Sequence, residues 1–152
     1  MQNRGIRPST RVLRLALVPP IPLYNEQLQL GADEPLIVLE RLCLGDEEPI
    51  MYQISYLPGR RFGQLVNVDM SLHSLYNLLF TQFNTKVQHV HRQIEAIDAS
   101  QLVADLLDIS RGQAVCRVHN LAYDHNEIPV ECNVSYYRGD RNKFTMDLFV
   151  NT

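Results

Sequence analysis

From residue 128 to 141 the chain reads Ile128-Pro129-Val130-Glu131-Cys132-Asn133-Val134-Ser135-Tyr136-Tyr137-Arg138-Gly139-Asp140-Arg141. Successive strand side chains point to opposite faces, so Ile128, Val130, Cys132, Val134 and Tyr136 fall on one side and Glu131, Asn133, Ser135 and Tyr137 on the other. The apolar side predicts a core-facing back. The row of carboxylate, amide, hydroxyl and phenol is either the wet face of an antiparallel sheet or one wall of a ligand cleft. The chain repeats the pattern: Pro49-Ile50-Met51-Tyr52-Gln53-Ile54-Ser55-Tyr56-Leu57, then Gly59, matches Pro129 to Tyr137, then Gly139, at an offset of 80 (129 minus 49).

Each copy follows a turn signal and an earlier strand. Gly45-Asp46-Glu47-Glu48 lies behind residues 36–44, and Asp124-His125-Asn126-Glu127 behind residues 114–123. Two hairpins on one template are predicted, as related halves of a sheet whose polar fronts share a cleft.

A chain of 152 residues is most simply one domain with a real core. With 45% hydrophobic and 20% charged residues, disordered and fibrous classes are excluded. A net charge of −3 argues against a chain that itself grips a phosphate backbone. No apolar run approaches the roughly 20 residues of a membrane span, and three cysteines without a CxxC pair fit a reduced, cytoplasmic setting.

Residues 1–11 read as a flexible basic lead-in carrying Arg4, Arg7 and Arg11. Leu13, Leu15 and Leu17 alternate as a first strand, stopped by Pro19, Pro20 and Pro22. A short helix over 23–30 ends at Gly31. In the strand over 36–44, Arg41 shares its face with Ile37, Leu39 and Cys43; such an arginine either snorkels to water or holds an anion. Apolar positions 72, 75, 76, 79 and 80 predict a helix capped by Ser71 or Ser74, whose start is a possible anion site. Residues 86–97 form a looser strand, with Val90, Ile94 and Ala96 on one face and His89, His91 and Glu95 on the other. The two histidines could ligate a metal, but no third ligand stands at strand or helix spacing, so no metal is assigned. A helix capped by Asp98 or Ser100 runs to about Leu107, and Phe144, Met146, Leu148 and Val150 alternate as a closing strand. Short turns between neighbouring strands predict an α+β fold, a mostly antiparallel sheet of about six strands with flanking helices.

The succession Leu39-Glu40-Arg41, Glu48-Pro49-Ile50, Ser55-Tyr56-Leu57-Pro58, Ser74-Leu75-Tyr76, Ile94-Glu95-Ala96, Pro129-Val130-Glu131 and Tyr137-Arg138-Gly139-Asp140-Arg141 resembles the UTRA domain, from about Pro8 to Val150. This is the effector-binding half of GntR-type, HutC-subfamily bacterial transcription regulators. The resemblance implies a chorismate-lyase-like fold that binds a small molecule between its repeated units and dimerises. It implies that residues 1–11 are the end of an interdomain linker, that 12–152 are the effector domain, and that DNA is bound by a winged helix-turn-helix outside this sequence.

In the sugar-phosphate sensors of that family an Arg-x-Arg pair and the Ser-Leu-Tyr helix start hold the phosphate. Here Arg41 matches the first arginine and Cys43 stands in place of the second; Ser74, Tyr76, Glu131 and Tyr137 match, and Gln53 replaces a glutamate. Losing one guanidinium removes a bidentate clamp, and Gln for Glu trades an acceptor-only group for a neutral donor and acceptor. The expectation is a sensor for an anionic metabolite, a carboxylate or a differently placed phosphate. Arg41 and Ser74 take the anion, Gln53 and Glu131 the hydroxyls or amine, and Tyr76 and Tyr137 complete the site. No cofactor, metal or catalytic residue is assigned. The alternative is a chorismate-lyase-like enzyme on the same fold. Arg138, Asp140 and Arg141 are expected to tie the strand end to its neighbours, Cys116 and Cys132 to be small core residues, and Cys43 to be the thiol worth testing for reactivity.

Overall fold

Both hairpins form, and they lie side by side. In the computed structural model, which describes residues 5–151, the chain runs β1 (Pro8–Val18), α1 (Pro22–Gln27), β2 (Leu36–Gly45), β3 (Glu48–Pro58), α2 (Gly59–Phe62) with a 3-10 turn over Gly63–Asn67, α3 (Leu75–Phe83), β4 (Val87–Asp98), α4 (Gln101–Leu107), β5 (Ala114–Asp124) and β6 (Pro129–Arg138). All neighbouring strands pair antiparallel in one six-stranded sheet of order β1-β2-β3-β6-β5-β4.

The repeat proves longer than the hairpins. The unit β1-α1-β2-β3 is matched in type and order by β4-α4-β5-β6, with α2, the 3-10 turn and α3 inserted between them. The halves meet at β3 and β6, where Ile54 faces Val134. Because 54 plus 80 is 134, that pair sits on the two-fold axis relating the halves. The two glycines ending the repeated motif have equivalent jobs. The Gly59 N–H donates to Pro35 O at 2.9 Å and the Gly139 N–H to Ala114 O at 3.1 Å. A Cβ would stand 2.7 Å from the first oxygen and 2.9 Å from the second, so only glycine lets strand end and strand start approach this closely.

On one face of the sheet, the back, α1 covers Leu36, Val38 and Cys132, and α4 covers Leu42, Tyr52 and Val115. Part of the front lies under α2, the 3-10 turn and α3, where Phe62, Leu65, Leu75 and Leu79 bury Ile37, Leu39 and Leu57. Each such fully buried side chain contributes about 1.5–3 kcal/mol. The rest of the front stays open above the polar row of β6.

Several expectations need correction. Phe144, Met146, Leu148 and Val150 form no strand: residues 142–151 belong to no element, and Met146, Leu148, Phe149 and Val150 are exposed. Alternation supplies a strand's faces but no neighbour to pair with, and β6 is already flanked on both sides by β3 and β5. Val130 leaves the back for the front cluster beside Ala122, because the register shifts between Ala122 and Tyr123. Of the two serines offered as caps Ser74 is the one that serves: the helix starts at Leu75 and buries Leu75, Leu78 and Leu79, while Leu72 and Phe80, expected on its apolar stripe, are exposed. β1 begins at Pro8, so residues 8–11 of the expected lead-in are strand, while residues 1–4 lie outside the described residues. α1 ends at Gln27, before Gly31.

Arg138 ties the strand end as expected, with its Nε and Nη2 on the two Asp140 oxygens at 3.0 and 2.8 Å and its Nη1 on Glu48 at 2.9 Å; Arg141 reaches Glu48 at 3.1 Å. Cys132 is buried and Cys116 half-buried. The second hairpin turn is organised by Asp124, whose carboxylate accepts from the Asn126 and Ile128 N–H groups at 2.8 and 3.1 Å and from Arg61 at 3.0 Å.

Candidate functional site

The register decides which polar groups meet. On the front face Arg41 of β2 lies opposite Gln53, which lies opposite Ser135 of β6. One row along, Ser55 faces Asn133, Asn133 faces Asn120 of β5, and Asn120 faces Arg92 of β4. The two rows are images of one another about the two-fold axis. Gln53 and Asn133 are equivalent, as are Ser55 and Ser135, at the offset of 80, and Arg41 and Asn120 are their respective neighbours.

The hydrogen bonds follow the same symmetry in their first step and depart from it in the second, where Asn133 turns to Glu131 instead of Ser55. Arg41 Nη2 donates to Gln53 Oε1 at 2.8 Å, and Asn120 Nδ2 donates to Asn133 Oδ1 at 2.9 Å. Gln53 Nε2 then donates to Ser135 Oγ at 2.8 Å, and Asn133 Nδ2 donates to Glu131 Oε2 at 2.9 Å. Arg92 Nε completes the outer end by donating to Asn120 Oδ1 at 2.7 Å.

Over these rows stands the start of α3. Ser74 is its N-cap, its hydroxyl accepting from the Asn77 N–H at 3.5 Å. Tyr76, the second residue of the helix, donates its phenol to Glu131 Oε1 at 2.7 Å. Tyr137 closes one side, with Phe144 edge-on against it at 5.0 Å between ring centres. The result is an open cleft of about 230 Å³. All six residues singled out in the sequence, Arg41, Gln53, Ser74, Tyr76, Glu131 and Tyr137, line it. So do Arg92, Asn120 and Asn133. Asn133 stood in the polar row already, but Arg92 and Asn120 were missed. Strand parity would have found Arg92, which shares the face of Val90 and Ile94.

The electrostatics are those of a cationic rim over a buried acid. Burial pushes the Glu131 carboxyl above the ordinary glutamate value, against the Tyr76 and Asn133 hydrogen bonds and the Arg41 charge. Burial likewise raises the phenols of Tyr76, also held by Glu131, and of Tyr137. Among the described residues two buried polar side-chain atoms lack a hydrogen-bond partner, Arg41 Nε and Ser55 Oγ. Unpaired buried donors are rare, and both lie on the front face that builds the cleft.

The Cys43 thiol is half-buried and pushed up by that burial despite the nearby Arg41, which opposes the reactivity for which it was singled out. His89 pairs with Glu127 at 3.1 Å and stacks on Tyr123. His91 lines a different hollow, on the back of the sheet. Among the described residues no group of three or more His, Cys, Asp or Glu is placed to hold a metal ion.

A family model described as the UTRA domain matches residues 3–143. Among curated proteins, the HTH-type transcriptional regulator YurK of Bacillus subtilis is 22% identical over 147 residues, covering 97% of this chain and 61% of its own. The HTH-type transcriptional repressor NagR of the same organism is 24% identical over 144 residues, covering 95% and 59%. The chain thus spans about three-fifths of these relatives. Among solved structures, a GntR-family transcriptional regulator from Enterococcus faecalis superposes with a TM-score of 0.84 at 28% identity, covering 92% of this chain and all (100%) of that one.

Proposed function

The chain belongs to the UTRA-domain family, and on that premise we propose that it is the small-molecule effector-binding and dimerisation domain of a bacterial GntR-type, HutC-subfamily transcription regulator. DNA binding belongs to a winged helix-turn-helix ahead of it, joined through the basic lead-in, and the whole works in the cytoplasm. The observation that carries this reading is that the six residues the family resemblance singles out, scattered from 41 to 137 in the sequence, line one cleft.

The effector is an anionic metabolite. Arg41 and the start of α3 at Ser74 receive its charge, and Arg92 offers a second guanidinium from the facing half. Gln53 meets hydroxyl or amine groups. Glu131 is buried behind Tyr76 and Asn133, so it acts by fixing those donors as much as by direct contact. Because the two halves of the sheet each supply part of the cleft, a ligand that prefers one geometry of the halves shifts the spacing of the attached DNA-binding domains. A second copy of the chain is the natural cover for the exposed apolar tail over Phe144–Val150.

Calorimetry with sugar phosphates and small carboxylic acids tests the site. One class is expected to bind, with Arg41→Ala weakening it at least about tenfold, the loss of one charge-assisted contact. Undiminished binding by both Arg41→Ala and Glu131→Gln would place the site elsewhere. Chorismate incubated with the chain is expected to persist; its turnover would favour the lyase reading, which gains no support from relatives that carry the names of transcription regulators.

A further inference from the structure

Behind the cleft, on the back of the sheet, a second hollow of about 240 Å³ lies between α1 and strands β4, β5 and β6. Its origin is legible in the repeat. Tyr52 and Cys132 are equivalent positions (52 plus 80), paired with Leu42 and Leu121 across their own hairpins. In the first half the Tyr52 ring packs in one cluster with Leu42, Val103 and Leu107 under α4, and its phenol donates to Glu40. In the second half the much shorter Cys132 stands there, and the corresponding space under α1 is the hollow.

The polar partner has an equivalent too. Glu40 is paired with Ile54 and His119 with Val134, so His119 occupies the place of the carboxylate that receives the Tyr52 phenol, and it lines the hollow. His119 Nε2 lies 2.9 Å from Glu95 Oε1. An Nε2–H donated to that carboxylate leaves Nδ1 as an acceptor. The floor is apolar, from Leu121, Cys132 and Val134, and one wall is Tyr24, whose ring is held in a 4.0 Å stack on Tyr56. We propose that this hollow binds a small monocyclic aromatic compound bearing one hydroxyl group, its ring taking the place the Tyr52 side chain fills in the other half and its hydroxyl donating to His119.

This site opens on the opposite face of the sheet from the front cleft and shares only Asn120 and Asn133 of its lining with it. Titrating the 15N-labelled chain with phenol is expected to shift the amides of Leu121, Cys132 and Val134 saturably, with those of Ser74 and Tyr76 unmoved. Cys132→Tyr, which copies the first half, is expected to weaken phenol at least about tenfold. His119→Ala is expected to weaken phenol about fivefold while leaving toluene, which has no hydroxyl, unchanged. Absence of saturable shifts, shifts centred on Ser74 and Tyr76, or a folded Cys132→Tyr that binds phenol like the wild type would overturn the proposal. Should Cys132→Tyr fail to fold, His119→Ala decides: equal phenol affinity in wild type and variant would overturn it.

Discussion

Glu131 is a fully buried carboxyl whose titration the fold alters. Its pKa is raised by burial, so the ionised form is disfavoured in the folded chain relative to the unfolded one. The stability this contributes is fully present below the ordinary glutamate value of 4.5 and is lost as pH rises through the folded value. Glu131→Gln removes that titration but gives Tyr76 and Asn133 one oxygen between them, a cost of about 1–3 kcal/mol. Melting temperatures across pH 5 to 8 are therefore expected to fall for the wild type relative to the variant, even where the variant starts lower; parallel curves would show that Glu131 titrates normally. Gly59→Ala is expected to cost about 1–3 kcal/mol in denaturant unfolding, since the added Cβ meets Pro35 O at 2.7 Å and Leu17 at 2.8 Å. The six candidate residues were legible through the family resemblance, and for Arg41, Ser74, Glu131 and Tyr137 strand or helix facing pointed the same way; Tyr76 read from period alone as part of an apolar stripe. What Glu131 does was not legible, because its burial depends on Tyr76, 55 residues away in sequence.

Among the elements, the two-residue turn of the first hairpin holds Asp46 and Glu47 at φ of 52° and 66°, a left-handed pair suited to Asp-Gly. Asp46 also accepts from the Arg7 N–H at 2.8 Å and should be kept. Glu47→Gly is expected to raise stability by about 0.5–1 kcal/mol in the same assay, because it relieves the left-handed strain at one residue. The hairpins themselves were readable from their turn residues and alternation. The closing strand was misread because Phe144 to Val150 alternate without a sheet edge beside them, and pairing is a property of the fold, not of the segment. Arg92 was overlooked although its facing could be read, since nothing local marks which exposed arginine of a strand will look across to a helix start.

The sheet and two of its helices are two copies of one β-α-β-β unit meeting at β3 and β6, with α2, the 3-10 turn and α3 inserted between them, and the front cleft and the hollow behind it both reflect that origin. The repeat was visible in sequence only where both copies need the same glycine and the same strand faces; elsewhere the halves have diverged, as Tyr52 and Cys132 show. On the proposed dimer, truncation after Lys143 is expected to leave a folded monomer by light scattering, because the exposed apolar residues Met146, Leu148, Phe149 and Val150 lie beyond that point. A dimer that persists would move the contact to another surface.

The central claim, that the front cleft captures an anionic metabolite without transforming it, is tested most directly by incubating the purified chain with a bacterial metabolite extract and identifying by mass spectrometry what stays bound. The account expects an anionic compound retained by the wild type, recovered chemically unchanged, and lost from the Arg41→Ala, Arg92→Ala double variant. Retention of the same compound by that variant, or its conversion during incubation, would contradict it.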